Sequence, residues 1–224
     1  FAVVPAMAAV ALLVFFLREP EGASVQPGPR TPLKLSDARR LRLDYWLVVA
    51  LGAVFTLARF SEAFLVLRAE DVGLSLAFVP LVMIVMNVFY SGFAYPAGAA
   101  ADRMSRRSLM LVGLALLIAA DLMLAYATSP LLALAGSALW GLHMACTQGL
   151  LSKMVADTAP ADLRGTAFGL FNLVSGGALL LASVLAGALW SVYGPVATFL
   201  TGAGFALLAA LGLLARGALR SRAG

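Results

Sequence analysis

Long apolar runs alternate with short polar breaks along almost the whole chain. Residues 1–17 open it as one apolar stretch, just long enough to cross a bilayer at 1.5 Å per helical residue. Residues 18–42 form a polar linker, rich in Pro and Gly at first and then patterned as a short amphipathic helix for the membrane surface. Six further apolar runs follow at about 43–67, 75–97, 108–127, 130–156, 165–190 and 193–215. Each meets the requirement of about twenty residues for a span. Within hydrocarbon only a helix satisfies its own backbone along one segment, so each run is expected to be helical. The pattern predicts an all-α, polytopic membrane protein with about seven transmembrane helices. It divides into a first span (1–17), a linker (18–42), a six-helix bundle (43–216) and a basic tail (217–224). Phe1 lies inside an apolar run with no basic segment or cleavage signature before it, so the chain is expected to be a piece of a longer protein.

Composition narrows the class. Of the 224 residues 62% are hydrophobic and 12% charged, against roughly 45–50% and 25% in soluble domains. The net charge of +5 is no sign of nucleic-acid binding, because the basic residues gather in alternate loops. Arg18, Arg30, Lys34, Arg39, Arg40 and Arg42 occupy the linker, and Arg103, Arg106 and Arg107 the loop near residue 105. Lys153 and Arg164 flank the next loop on that side, and the tail is basic. On the other side Arg68 is balanced by Glu70 and Asp71. The positive-inside rule therefore puts linker, 98–107 loop and C-terminus in the cytoplasm. Cys146 is the single cysteine, so no internal disulfide can form, and with His143 three residues away it makes a poor metal site. No phosphate-cradling Gly-x-x-x-x-Gly-Lys loop is present, and no soluble catalytic motif. The expectation is a non-enzymatic chain with neither metal nor cofactor.

The most specific pattern is Gly98-Ala-Ala-Ala-Asp102-Arg103-Met-Ser-Arg106-Arg107 between two spans. It resembles the loop signature of the major facilitator superfamily, roughly Gly-x-Leu-Ala-Asp-Arg-x-Gly-Arg-Arg/Lys-x-x-Leu/Ile. Ala100, Ser105 and Met110 depart from it, as in the more degenerate second copy between helices eight and nine. The weaker Arg164-Gly165-Thr-Ala-Phe-Gly169 stretch is similar to one found between helices ten and eleven. The resemblance implies the second half of a twelve-helix secondary transporter, with the first run as helix six. It implies that Gly98, Asp102, Arg103, Arg106 and Arg107 form a loop that locks one conformation and releases in another. It also implies that helices seven and ten line a central cavity, while helices eight and eleven meet the other half.

Charges within spans are the informative residues, since each costs roughly 2.5–3.5 kcal/mol at the bilayer centre on insertion scales. Arg59 and Glu62 are spaced i,i+3, which puts them on one helical face within pairing distance, with Phe55 a turn earlier. Glu62 is the first candidate for taking up a proton. Arg59 is its counter-charge or the ligand of an anionic solute. Trp140, His143, Met144, Thr147 and Gln148 form one helical stripe that belongs in the bundle interior. His143 is the second proton-coupling candidate. Phe55, Asn87, Trp140, Thr147, Gln148, Phe171 and Asn172 are candidates for the cavity lining. Tyr90, Ser91 and Ser175 belong to the same polar stripes. Asp121 lies deep in its span and is expected as a protonated, hydrogen-bonded packing residue.

Together with the resemblance, these residues point to transport of a small solute by alternating access. The aromatic cavity and the single Arg/Glu pair favour proton-coupled, drug-type efflux in a bacterial inner membrane. The alternatives are uptake or exchange of an organic anion or metabolite, and a non-transporting sensor or assembly module of the same fold. The expected partners are the lipid bilayer, a small-molecule solute and the other six-helix half, with no nucleic acid.

Overall fold

The computed structural model describes the backbone of residues 38 and 40–222, and side chains as far as residue 215. The expected first span, most of the linker and the side chains of the tail lie outside these residues. All described residues fall in one compact unit, 35–224.

Helices are α1 (Leu43–Ala58), α2 (Ala63–Asp71), α3 (Pro80–Arg103), α4 (Arg106–Ala125), α5 (Pro130–Thr158) and α6 (Arg164–Arg222). Short 3-10 turns precede α3 (Leu76–Phe78) and α6 (Ala161–Leu163), and no strand occurs among the described residues. Among the described residues five helical stretches are long and apolar enough to cross a membrane. The last of them, Ala161–Ala215, has 55 residues, enough length for two crossings. Twelve residues of straight helix would hold Ala186 and Thr198 about 18 Å apart. Instead Thr198 Oγ1 donates to the Ala186 carbonyl at 3.3 Å, so α6 reverses on itself. The pivot is Gly194, with φ 80° and ψ −177°, a conformation open to glycine and closed to residues with a Cβ. Pro195 then starts the second arm with its φ already suited to a helix.

Pro80 starts α3, where its missing N–H costs nothing. Two expectations about helix bounds are corrected. The run expected to stop near Ala97 continues as helix through Pro96 to Arg103, as membrane helices allow when neighbours support the backbone. The run 43–67 is not one helix, since it is interrupted between α1 and α2.

Helix α5 packs against α3 and α4, and α6 packs against α1 and α4. The α3–α5 contact is backbone on backbone. A Cβ at Gly141 would lie 2.2 Å from the Met86 carbonyl oxygen, so only glycine allows that approach. Helix α3 otherwise buries few side chains, and Ile84, Val88, Phe93 and Tyr95 are exposed along it.

Candidate solute cavity

The interruption between α1 and α2 builds the cavity. Arg59 leaves the helical region (φ −109°, ψ 76°), and its N–H turns back to the Thr56 carbonyl at 3.0 Å. Ser61 restarts the chain, its Oγ accepting from the Ala63 N–H at 3.3 Å and its carbonyl from the Phe64 N–H at 3.1 Å. Between them Phe60 turns into the bundle. Its ring centroid lies 5.4 Å from Phe64 and 5.5 Å from both Trp140 and Phe199. Burying that ring fixes the bend and leaves Arg59 and Glu62 on the opposite side. Irregular backbone at membrane depth is tolerated where it lines a cavity, and interrupted helices are where transporters build their sites.

The cavity has a volume of about 890 Å³, with walls from α1, the interruption, α5 and the first arm of α6. Phe55, Phe60, Leu151, Phe171, Leu179 and Leu180 supply its apolar surface. Thr56, Ser61, Gln148, Ser152, Asn172, Ser175 and Ser183 supply neutral polar groups. The single ion pair is Arg59 Nη2 to Glu62 Oε1 at 3.7 Å. That separation exceeds a direct hydrogen bond, so both groups keep donors and acceptors for a solute or water. The spacing argument expected this pair on one helical face. The residues do pair, but across non-helical backbone.

The other candidates divide by location. Phe55, Gln148, Phe171 and Asn172 line the cavity. Gln148 also accepts a hydrogen bond from Tyr90 Oη at 3.0 Å, joining α5 to α3 at its edge. Asn87 lies away from these walls on exposed α3, where its Nδ2 donates to the Met83 carbonyl at 2.8 Å. Trp140, His143 and Thr147 are fully buried behind the wall. His143 Nδ1 donates to the Gly113 carbonyl at 2.8 Å, linking α5 to α4, and its ring stacks on Phe55. Thr147 Oγ1 donates to the His143 carbonyl at 2.8 Å. The helical stripe is real in spacing, yet only Gln148 of it reaches the cavity. The expected hydrogen bond at Asp121 is absent. The side chain is fully buried and neither carboxyl oxygen has a partner.

The 98–107 segment spans the end of α3 and the start of α4. Asp102 and Arg103 are exposed in the last turn of α3. Ser105 caps α4, its Oγ accepting from the Ser108 N–H at 3.1 Å. Arg106 forms an ion pair with Asp157 near the end of α5. Arg107 Nη2 donates to the Leu214 carbonyl at 2.9 Å on the second arm of α6. A Cβ built at Gly98 would meet no neighbour within 4 Å among the described residues, so no close helix approach depends on this glycine there.

The interrupted helix, the open cavity beside it and the charged segment between α3 and α4 lie in one all-helical bundle. The chain belongs to the Major Facilitator Superfamily, whose sequence profile matches residues 47–223. It is 34% identical over 182 residues to the Uncharacterized MFS-type transporter MJ1317 of Methanocaldococcus jannaschii, an alignment covering 79% of this chain. The chain spans 46% of that relative's length. Its apolar helices and this family make it an integral membrane protein.

Proposed function

We propose that this chain is the C-terminal half of a proton-coupled transporter that exports amphipathic solutes by alternating access. The observation that carries the reading is the loose Arg59–Glu62 pair, 3.7 Å apart on an interrupted helix beside an 890 Å³ cavity. A carboxylate held by one cation and no hydrogen bond can exchange that cation for a proton. The apolar walls suit a solute with a hydrophobic body, and the neutral amides and hydroxyls suit its polar end. In the intact protein a second six-helix half closes the cavity, and the two halves rock about it. The loop from Gly98 to Arg107 faces the cytoplasm of a bacterial-type inner membrane. Arg106–Asp157 and Arg107–Leu214 hold one conformation and part in the other. No cofactor takes part, and the proton is the coupling ion.

A second reading rests on Arg59, the one cation among the described residues that line the cavity, which fits uptake or exchange of an organic anion. Equilibrium binding to the purified intact protein separates the two. Under the export reading, Arg59→Gln retains binding of lipophilic cations, while Glu62→Gln weakens it at least tenfold. The reverse pattern with organic anions supports the second reading. Failure of both classes to bind contradicts a solute-binding role at this cavity.

A further inference from the structure

We propose that Asp121 is a proton-binding site that sets the shape of the α1–α2 interruption from behind. Asp121 sits in the last turn of α4, fully buried, with both oxygens unpartnered. Opposite it, Gly202 on the second arm of α6 leaves a notch. A Cβ there would lie 2.9 Å from Asp121 Oδ2, 2.8 Å from Phe60 Cε1 and 3.4 Å from the Ala58 carbonyl oxygen. Carboxyl, ring and carbonyl therefore all border the space that the missing Gly202 side chain leaves. Ala58 ends α1 and Phe60 is the residue whose burial makes the bend, while Arg59 between them faces the cavity. The interruption thus has a solute side and a carboxyl side.

A carboxylate in this buried notch has no hydrogen-bond partner among the described residues. It also lies near the end of α1, where the last carbonyls form the negative end of that helix's dipole. The Ala58 carbonyl takes no part in the backbone hydrogen bonds that close the interruption, so it is open to an acid O–H. No charge on a packed element offsets this. Arg59 and Glu62 line the cavity on the far side. Arg68 of α2 is committed to the Leu124, Ala125 and Ala127 carbonyls and to Asp71. His143 of α5 is bonded two turns back along α4, at Gly113. The flanking residues Thr198 and Thr201 of α6 donate within α6 itself. Loss of the proton forces the notch to admit water, displaces Phe60 and releases the bend that presents Arg59 and Glu62. Asp121 acts through Phe60 and Ala58 and is a positioning residue. Its role holds whichever group carries the coupled proton.

The test uses the intact protein in nanodiscs. Infrared spectra taken across a pH series report the carbonyl stretch of a neutral carboxylic acid. Amide hydrogen exchange of residues 58–64, normalised at each pH to α5, reports the bend. The expected result is a neutral-acid band at pH 7 that is lost in Asp121→Asn and kept in Glu62→Gln. As pH rises and the band disappears, the normalised exchange of the wild type should increase severalfold, while Asp121→Asn stays flat. Gly202→Ala, whose Cβ would press on both the carboxyl and the Phe60 ring, should shift the band and raise the exchange. A wild type without the band, a band unchanged in Asp121→Asn, or exchange in Asp121→Asn that follows pH as the wild type does would overturn the proposal. If Asp121→Asn does not fold, the wild-type titration and Gly202→Ala decide. An unshifted band with unchanged exchange in Gly202→Ala then counts against it. Retention of the band in Glu62→Gln with loss of proton transport separates this site from the coupling assignment.

Discussion

Arg68 of α2 closes the end of α4, its Nε donating to the Leu124 carbonyl at 2.8 Å. The same guanidinium donates from Nη2 to the Ala125 and Ala127 carbonyls at 3.1 and 2.8 Å, and pairs with Asp71. The last carbonyls of a helix lack amide partners, and a buried planar cation with several donors satisfies two of them and the Ala127 carbonyl just beyond at once. Because α2 follows the interruption, this clamp also anchors its outer end. Arg68→Met should lower stability by about 3 kcal/mol or more, since it strands buried carbonyls. Arg68→Lys should recover only part of that, having no fork. Thermal unfolding in detergent reads both, and wild-type stability in Arg68→Met would contradict the clamp.

The α3–α5 seam depends on Gly141. Its missing side chain lets the Met86 carbonyl approach, and backbone cannot step aside as a flexible side chain can. Gly141→Ala should cost about 1–3 kcal/mol and separate the two helices. Gly149→Ala, on the same helix with open space at its Cβ, should be neutral or stabilising by up to ~1 kcal/mol. Thermal unfolding distinguishes them, and equal effects would refute the close approach.

The ion pair between Arg106 and Asp157 is about half exposed on both sides, so its worth to folding is about 0–1 kcal/mol. Asp157→Asn should leave stability nearly unchanged and alter the balance between conformations. The exchanged pair Arg106→Asp with Asp157→Arg should restore that balance. Solvent accessibility of a cysteine placed at Ser152, in the Cys146→Ser background, reports it on both faces of the membrane. No change in accessibility in Asp157→Asn would remove the loop from the conformational cycle.

His143 holds α5 to α4 through the Gly113 carbonyl and lies outside the cavity lining. His143→Leu should destabilise the bundle by about 1–3 kcal/mol through the unpaired carbonyl, while proton stoichiometry per solute stays at the wild-type value. A changed stoichiometry in folded His143→Leu would put the imidazole in the proton path.

Much of the architecture was legible in the chain, because span length and apolarity are local properties. The runs at 43–67, 130–156 and 193–215 each mark a crossing. The interruption at Arg59 was not legible. Ala58-Arg-Phe-Ser-Glu-Ala63 contains no Pro or Gly, and the bend follows from burying Phe60 among Phe64, Trp140 and Phe199, contacts far apart in sequence. The i,i+3 spacing still brought Arg59 and Glu62 together, because a short bend preserves neighbourhood. The stripe on α5 shows the limit of periodicity. It groups Trp140, His143, Thr147 and Gln148 correctly but cannot say which neighbour each meets, and only Gln148 meets the cavity. Arg68 read as a loop charge because nothing local reveals the carbonyls it caps.

The central claim is that Glu62 couples proton movement to a solute in this cavity. Its most direct test is solute-driven proton flux in proteoliposomes of the intact protein, with a pH dye inside and an imposed gradient. Lipophilic cations, antibiotics and organic anions are added in turn. The account predicts that at least one amphipathic solute drains the gradient, and that Glu62→Gln abolishes the flux even when the solute concentration is raised to offset its weaker binding. Flux that persists unchanged in Glu62→Gln would contradict it.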